Sequence, residues 1–208
     1  MKLSDYKRGL SRVMLRLCAV LLVASTSACI SPSFYVDRTL GDVPSSEVRK
    51  IASAKPAQLL FDFQTKGASN TRATDFTKAT VLSTVQASPL FSSVGTAPVP
   101  NGAILSITIN NVSLTDDAAS KGFMTGLTLG AAGSMVTDGY TCTVDYVSGP
   151  SAPKIRTTTK HALHTVIGNT DAPQNADKAA NANEAVQMIV RQLVSRGVND
   201  LAANPAFR

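Results

Sequence analysis

The stretch Ala103-Ile104-Leu105-Ser106-Ile107-Thr108-Ile109-Asn110-Asn111-Val112-Ser113-Leu114 is the most strongly patterned part of the sequence. Successive side chains of a strand point to opposite faces, so Ala103, Leu105, Ile107 and Ile109 share one face and Ser106, Thr108 and Asn110 the other. A strand over 103–114 with one buried face is predicted. The apolar phase then shifts to Val112 and Leu114, for which a β-bulge at Asn110-Asn111 is the expected cause.

Downstream, alternation returns at 139–148, where Tyr140, Cys142, Val144 and Tyr146 face one way. A turn over Gly149–Pro153 leads to a threonine-rich strand, 154–166. Arg156 and Lys160 suit it to a sheet edge, since charge discourages edge-to-edge pairing. Upstream, residues 58–65 read as a strand with Phe61 and Phe63 on one face. Residues 74–88 read as a helix whose stripe is Phe76, Ala79, Leu82 and Val85, with Thr74 and Asp75 in its first turn and Pro89 as its stop. A short strand or lead-in is expected at 90–94. The final helix is expected over 177–202, with Ala182, Val186, Ile189, Leu193 and Leu201 inward and Gly197 bending or ending it. Two helices on one face of a mainly antiparallel sheet bury all these stripes, so the expected class is an α+β fold, with residues 58–208 as one domain.

The N-terminus has a different character. Lys2, Lys7, Arg8, Arg12 and Arg16 precede an apolar run, Leu17 to Ala24, and then the small residues Ser25 to Ala28 before Cys29. Basic, apolar and small segments in that order mark an export signal, and the apolar run is about half of what a membrane-spanning helix needs. The signal takes five of the 20 Lys and Arg and one of the 14 Asp and Glu with it, leaving 15 and 13, a net charge of only +2. A nucleic-acid partner is not expected from so balanced a chain. Residues 30–57, with Pro32, Pro44 and Pro56, read as a polar tether.

Thr26-Ser27-Ala28-Cys29 resembles the lipobox of bacterial lipoproteins, with Thr26 where that family usually carries Leu. The resemblance implies a diacylglycerol thioether and an N-acyl chain on Cys29, and stable anchoring follows from two or more chains. Ile30 after the cysteine, in place of Asp, implies the periplasmic face of the outer membrane. Cleavage after Ala28 without lipidation would instead give a soluble periplasmic protein.

Residues 122–137 carry no charge and place glycines at 122, 126, 130 and 133. As a helix, Gly122, Gly126 and Gly130 form a small face that lets backbones approach in a membrane. As strands, the glycines allow bends and tight packing. Buried core and a membrane-contacting or self-associating element both fit.

Chemistry-bearing residues are few. His161 and His164, three apart on a strand, face opposite ways and cannot share a metal. Cys18 leaves with the signal and Cys29 is the lipid site, so Cys142 is expected to be a small buried residue rather than a reactive thiol. Asp116-Asp117 suit a turn or cap. No phosphate loop, dinucleotide fingerprint or nucleophile elbow occurs. Neither an enzyme activity, a cofactor nor a metal is expected.

The helix with Leu82 and Val85 running into Pro89-Leu90-Phe91-Ser-Ser-Val94, the strand Leu105 to Ile109 and the strand Tyr140 to Tyr146 together resemble the small periplasmic α/β domains of the TolB amino-terminal region, penicillin-binding-protein activator lipoproteins and the curli secretion channel. The likeness covers about two thirds of the mature chain and transfers no functional residue. It implies either an adaptor that docks another envelope protein or an oligomeric component whose 122–137 segment enters the bilayer, as the membrane hairpins of curli-type channels do.

Overall fold

The computed structural model describes residues 31–100, 102–114 and 134–207. Among them are eight strands and two helices: β1 (Ser33–Asp37), β2 (Ala57–Thr65), β3 (Ala68–Ser69), α1 (Thr71–Gln86), β4 (Val94–Gly95), β5 (Ala103–Ser113), β6 (Ser134–Val147), β7 (Ile155–Ile167), β8 (Ala176–Ala179) and α2 (Ala182–Ala203). One sheet runs in the order β3-β2-β5-β6-β7-β1-β8, with β4 also on β2. It is mainly antiparallel, and the helices pack against it, so the fold is α+β. The parallel pairs are β2 with β5 and β2 with β4. The β2–β5 pair needs a crossover connection, and α1 is that crossover.

Leu105, Ile107 and Ile109 are almost completely buried, together with Tyr140, Cys142, Val144 and Tyr146 of β6 and Leu59 and Phe63 of β2. Residues between them are half-buried or exposed, so one face of the sheet takes both helices. The expected bulge at Asn110-Asn111 does not form. These residues pair one-for-one with Thr141 and Tyr140, and the register holds from Ile104 to Ser113. The asparagines instead tie down the β2–β3 turn. Asn110 Oδ1 accepts from the Gly67 amide at 2.9 Å and the Asn111 carbonyl from the Lys66 amide at 2.8 Å. Lys66 and Gly67 both sit at positive φ, which glycine tolerates without cost. Val112 therefore keeps the phase of Ser106 and Thr108, and its apolar side chain lies on the face opposite the helices.

Helix α1 starts at Thr71 because Asn70 caps it, its side-chain oxygen accepting from the Ala73 amide at 3.0 Å. Thr74, expected in its first turn, accepts from the Phe63 amide at 2.9 Å and docks the helix on β2. That contact turns Thr77, Val81 and Val85 to the core and leaves Phe76 43% exposed, so the expected stripe through Phe76 is corrected by about one residue. Helix α2 starts at Ala182 rather than 177, because 176–179 are drawn into pairing with β1. Asn181 caps it and the Glu184 carboxylate accepts from the Ala180 amide at 2.7 Å.

The expected tether is corrected as well. Residues 33–37 form β1, inserted between β7 and β8, and Val36 and Val48 are buried. The arm after β1 is fixed along α2 by the Arg191–Asp42 pair (2.8 and 2.9 Å), by Val43 N–H to Ser195 Oγ at 3.3 Å and by Arg196 to the Leu40 carbonyl at 3.2 Å. The folded unit thus begins at Pro32, not at residue 58.

Gly197 does not end α2, which continues to Ala203. A Cβ there would stand 2.8 Å from Val144 Cγ2, inside contact distance, with Cys142 Sγ and Thr159 Oγ1 at 3.9 Å. Glycine lets the helix lie directly on β6 and β7. Gly197→Ala should lose about 1 kcal/mol in chemical denaturation, because overpacking of about 1–3 kcal/mol outweighs a helix-propensity gain of about 1. Gly197→Val should lose more, and Val144→Ala should restore part of the loss; additive behaviour of the pair would refute this contact.

Candidate functional site

Cys29, Gly122, Gly126, Gly130 and Gly133 lie outside the described residues, as do Asp116 and Asp117. The fold nevertheless fixes the points from which their segments leave. Ser33 pairs with Val166, and Val166 with Met135, so the start of β1 and the start of β6 lie in one row across the sheet. β5 ends beside them, with the Leu114 amide donating to the Thr137 carbonyl at 2.8 Å. The chain that follows Cys29 and both flanks of the glycine-rich segment therefore share one end of the sheet.

This end carries apolar side chains on both faces, beside the Thr137–His164 pair on the outer one. On the face away from the helices, Leu114 is 62% and Met135 41% exposed, and Leu114 lies over Gly139, where a Cβ would meet its side chain at 3.0 Å. On the helix face, Pro32, Phe34, Val136, Thr165 and Ile167 line a slot of about 250 Å³. Deeper on that face sit Asp138, whose carboxyl burial pushes up, and Tyr140, raised by burial and then by the Asp138 charge.

A second feature is a step in the sheet. β1 pairs with β7 only over Leu163–Val166, while β6 pairs along all of Ile155–Ile167. Residues 155–162 of β7 thus have a neighbouring strand on one side alone among the described residues. Arg156, Thr158 and Lys160 are exposed there, and Ile155, Thr159 and His161 are buried under α2. The edge expected from the charges of Arg156 and Lys160 is present along half of β7, while its other half is interior to the sheet. Arg156 is held by a two-bonded pair with Asp145 (2.6 and 2.6 Å), with Lys154 at 3.7 Å from the same carboxylate.

His161 and His164 point to opposite faces, as their spacing predicts. His164 Nδ1 is 3.0 Å from Thr137 Oγ1. His161 Nε2 is 2.6 Å from the Gln192 side-chain oxygen, and its Nδ1 accepts from the Ala162 amide at 3.0 Å. An acceptor at one nitrogen and a donor at the other select the neutral, Nε2-protonated ring. Burial lowers its pKa, only partly opposed by Gln192. Burial pushes the Cys142 thiol up to about 12, which fits a packing residue rather than a nucleophile. Tyr146, buried on the helix face, packs against Phe207 with ring centroids 4.7 Å apart and against Phe91 at 6.0 Å.

A cleft of about 390 Å³ opens between α1, α2 and the arm, lined by Asp42, Ser83, Thr84, Ser88, Arg191 and Ser195. The hydroxyls of Ser83 and Thr84 donate to the Thr80 carbonyl, Ser88 to Val85 and Ser195 to Gln192. None of these serines is paired with a histidine. Among the described residues no group of three His, Cys, Asp or Glu is placed to hold a metal, and no helix is long and apolar enough to cross a membrane.

No protein-family model and no curated protein matches the chain. Among solved structures it is similar to a PelC dodecamer from Paraburkholderia phytofirmans, at 10% identity over 76% of this chain and 95% of that one, with a TM-score of 0.29. A likeness that shallow carries no argument about function.

The ring of His161 gives a pH prediction. Its folded pKa lies below the unfolded value of 6.5, so the unfolded chain binds the extra proton first. Stability is complete above pH 6.5 and falls as the pH drops through that value towards the folded pKa. Thermal melts from about pH 7 to about pH 5 should show a drop of a few degrees that His161→Gln largely removes, at about 2–4 °C per kcal/mol for a chain this size. Equal pH dependence in both proteins would contradict the assignment.

Proposed function

We propose that the chain is a lipid-anchored lipoprotein on the periplasmic face of the outer membrane, and that it works as a binding module for another envelope protein, with no chemical step of its own. The observation that carries the docking half is the stretch 155–162 of β7, which has a neighbouring strand on one side alone among the described residues. An extended segment of a partner can add there as a strand, main-chain hydrogen bonds giving affinity and alternate side chains specificity. Arg156, Thr158 and Lys160 are the exposed side chains it would meet, and the two cations disfavour pairing with a second copy of this chain. The lipid half rests on the Thr26-Ser27-Ala28-Cys29 pattern behind a basic and apolar leader. The soluble periplasmic alternative differs only at Cys29.

A second reading, an oligomeric membrane component, is favoured by a different observation. Both flanks of the glycine-rich segment leave from the end of the sheet where the chain from Cys29 enters. One set of experiments separates the two. A photo-crosslinker at Thr158 in intact envelopes should trap one heterologous partner, and the same probe at Ile104 should not. A product at multiples of this chain's own mass supports the oligomer instead. Growth with a fatty-acid analogue should label the wild type and leave Cys29→Ala unlabelled; an unlabelled wild type rules out the anchor. Gly126→Leu with Gly130→Leu should reduce membrane retention or oligomer mass only under the second reading.

A further inference from the structure

We infer that the end of the sheet formed by Phe34, Leu114, Met135, Val136 and Ile167 is a lipid-seating surface, on which the folded domain rests against the bilayer instead of hanging free from its anchor. The inference rests on the lipid-anchor reading above for its occupant, and on four observations for its geometry.

The first is reach. Four residue steps separate Cys29 from Ser33, the first residue of β1. A fully extended chain covers about 3.3–3.6 Å per residue, so β1 starts within about 14 Å of an acylated Cys29. Since β1 is locked between β7 and β8, that limit applies to the whole sheet end. The second is composition. Elsewhere the sheet is apolar towards the helices and mostly polar away from them: Ser106, Thr108, Thr141, Thr143 and Thr158 all lie on the outer face, with Leu60 and Ile104 as its exposed apolar exceptions. At this end the outer face carries Val112, Leu114 and Met135 beside the polar Thr137–His164 pair, while Phe34, Val136 and Ile167 extend the apolar inner face next to the half-buried Asp138. Leu114 and Met135 are exposed, although neighbouring apolar side chains are normally covered and exposed ones scattered singly.

The third is the slot. Pro32, Phe34, Val136, Thr165 and Ile167 leave a gap of about 250 Å³ with an almost wholly apolar lining, and Thr165 supplies its one side-chain polar atom. Such a gap suits an acyl chain and offers nothing to a charged or hydrogen-bonding ligand. The fourth is contrast with the other end. Ile104 and Leu60 are also exposed there, but Ile104 neighbours the Lys154–Asp145–Arg156 ion cluster, whose charges would have to be dehydrated to approach hydrocarbon. The first end holds one half-buried carboxyl, Asp138, deeper than the slot, and no such ion cluster among the described residues, so a lipid surface is the occupant of the first end and not of the second.

The sequence contains no tryptophan, so one introduced indole reports one place. Mature, lipidated Met135→Trp and Ile104→Trp proteins, processed at Cys29, would be reconstituted into phosphatidylethanolamine–phosphatidylglycerol vesicles with brominated acyl chains. Ile104 lies opposite Val147, twelve residues along β6 from Met135, about 40 Å away. The indole emission of the Met135→Trp protein should fall by about half relative to unbrominated vesicles, as burial of a side chain some 5–10 Å into the interface requires, and that of the Ile104→Trp protein should not change. Leu114→Trp serves as a second reporter if Met135→Trp does not fold. Equal quenching at both ends, or none at position 135 or 114 in a protein whose N-terminal peptide carries the lipid mass, overturns the seating while leaving the anchor intact. An unmodified Cys29 in that peptide overturns the anchor on which the inference rests.

Discussion

The architecture depends on how β5 is shared. It is hydrogen-bonded in parallel to β2 and antiparallel to β6, and its inner residues Leu105, Ile107 and Ile109 have essentially no solvent contact. A parallel neighbour on one side forces the chain to cross over, and the crossover is α1. An antiparallel neighbour on the other side, joined through residues 115–133, sends both flanks of that connection to the same end of the sheet. From there β6 and β7 follow as a hairpin, and α2 closes over them because Gly197 allows its backbone against Val144. The helix layer and the apolar sheet end both follow from the two unlike partners of one strand.

Much of this was legible in the sequence because period-2 and period-3.6 patterns are physical requirements of half-buried elements. The strands around Leu105, Phe63 and Cys142 and both helices could be placed to within a few residues. What escaped had identifiable causes. The phase change at Val112 and Leu114 looked like a bulge because outward apolar side chains in a sheet facing water have no reason to exist; the unbroken register shows that they simply point outward. Phe76 looked like core because it falls in the helical spacing of Ala79, Leu82 and Val85, but Thr74 docks α1 on β2 through a hydrogen bond that hydropathy does not register. β1 was hidden by three prolines and by its length of five residues. The alternation of Phe34 and Val36 was its only signal, and its partners lie far along the chain.

The candidate site was less legible than the fold. Arg156 and Lys160 announced an edge, and β7 has one. That the edge is a step within the sheet, caused by the shortness of β1, is a matter of relative strand lengths. The residues singled out for membrane contact, Cys29 and the four glycines, lie outside the described residues, yet the pairing of Ser33 with Val166 and of Val166 with Met135 relates their exits. That relation is invisible in one dimension, since the two segments lie far apart along the chain.

The place of β1 also governs the order in which the molecule can be completed. Its partners, residues 163–166 and 176–179, belong to the last quarter of the chain, and β8 pairs with no strand but β1 among the described residues. Contacts so distant in sequence slow folding, because the loop must close before the pairing rewards it. If the chain is exported N-terminus first, as proposed above, the strand that emerges earliest must wait, unpaired, for the one that emerges nearly last. An N-terminal attachment to the bilayer would hold that waiting strand at a surface, away from its counterparts on other nascent chains.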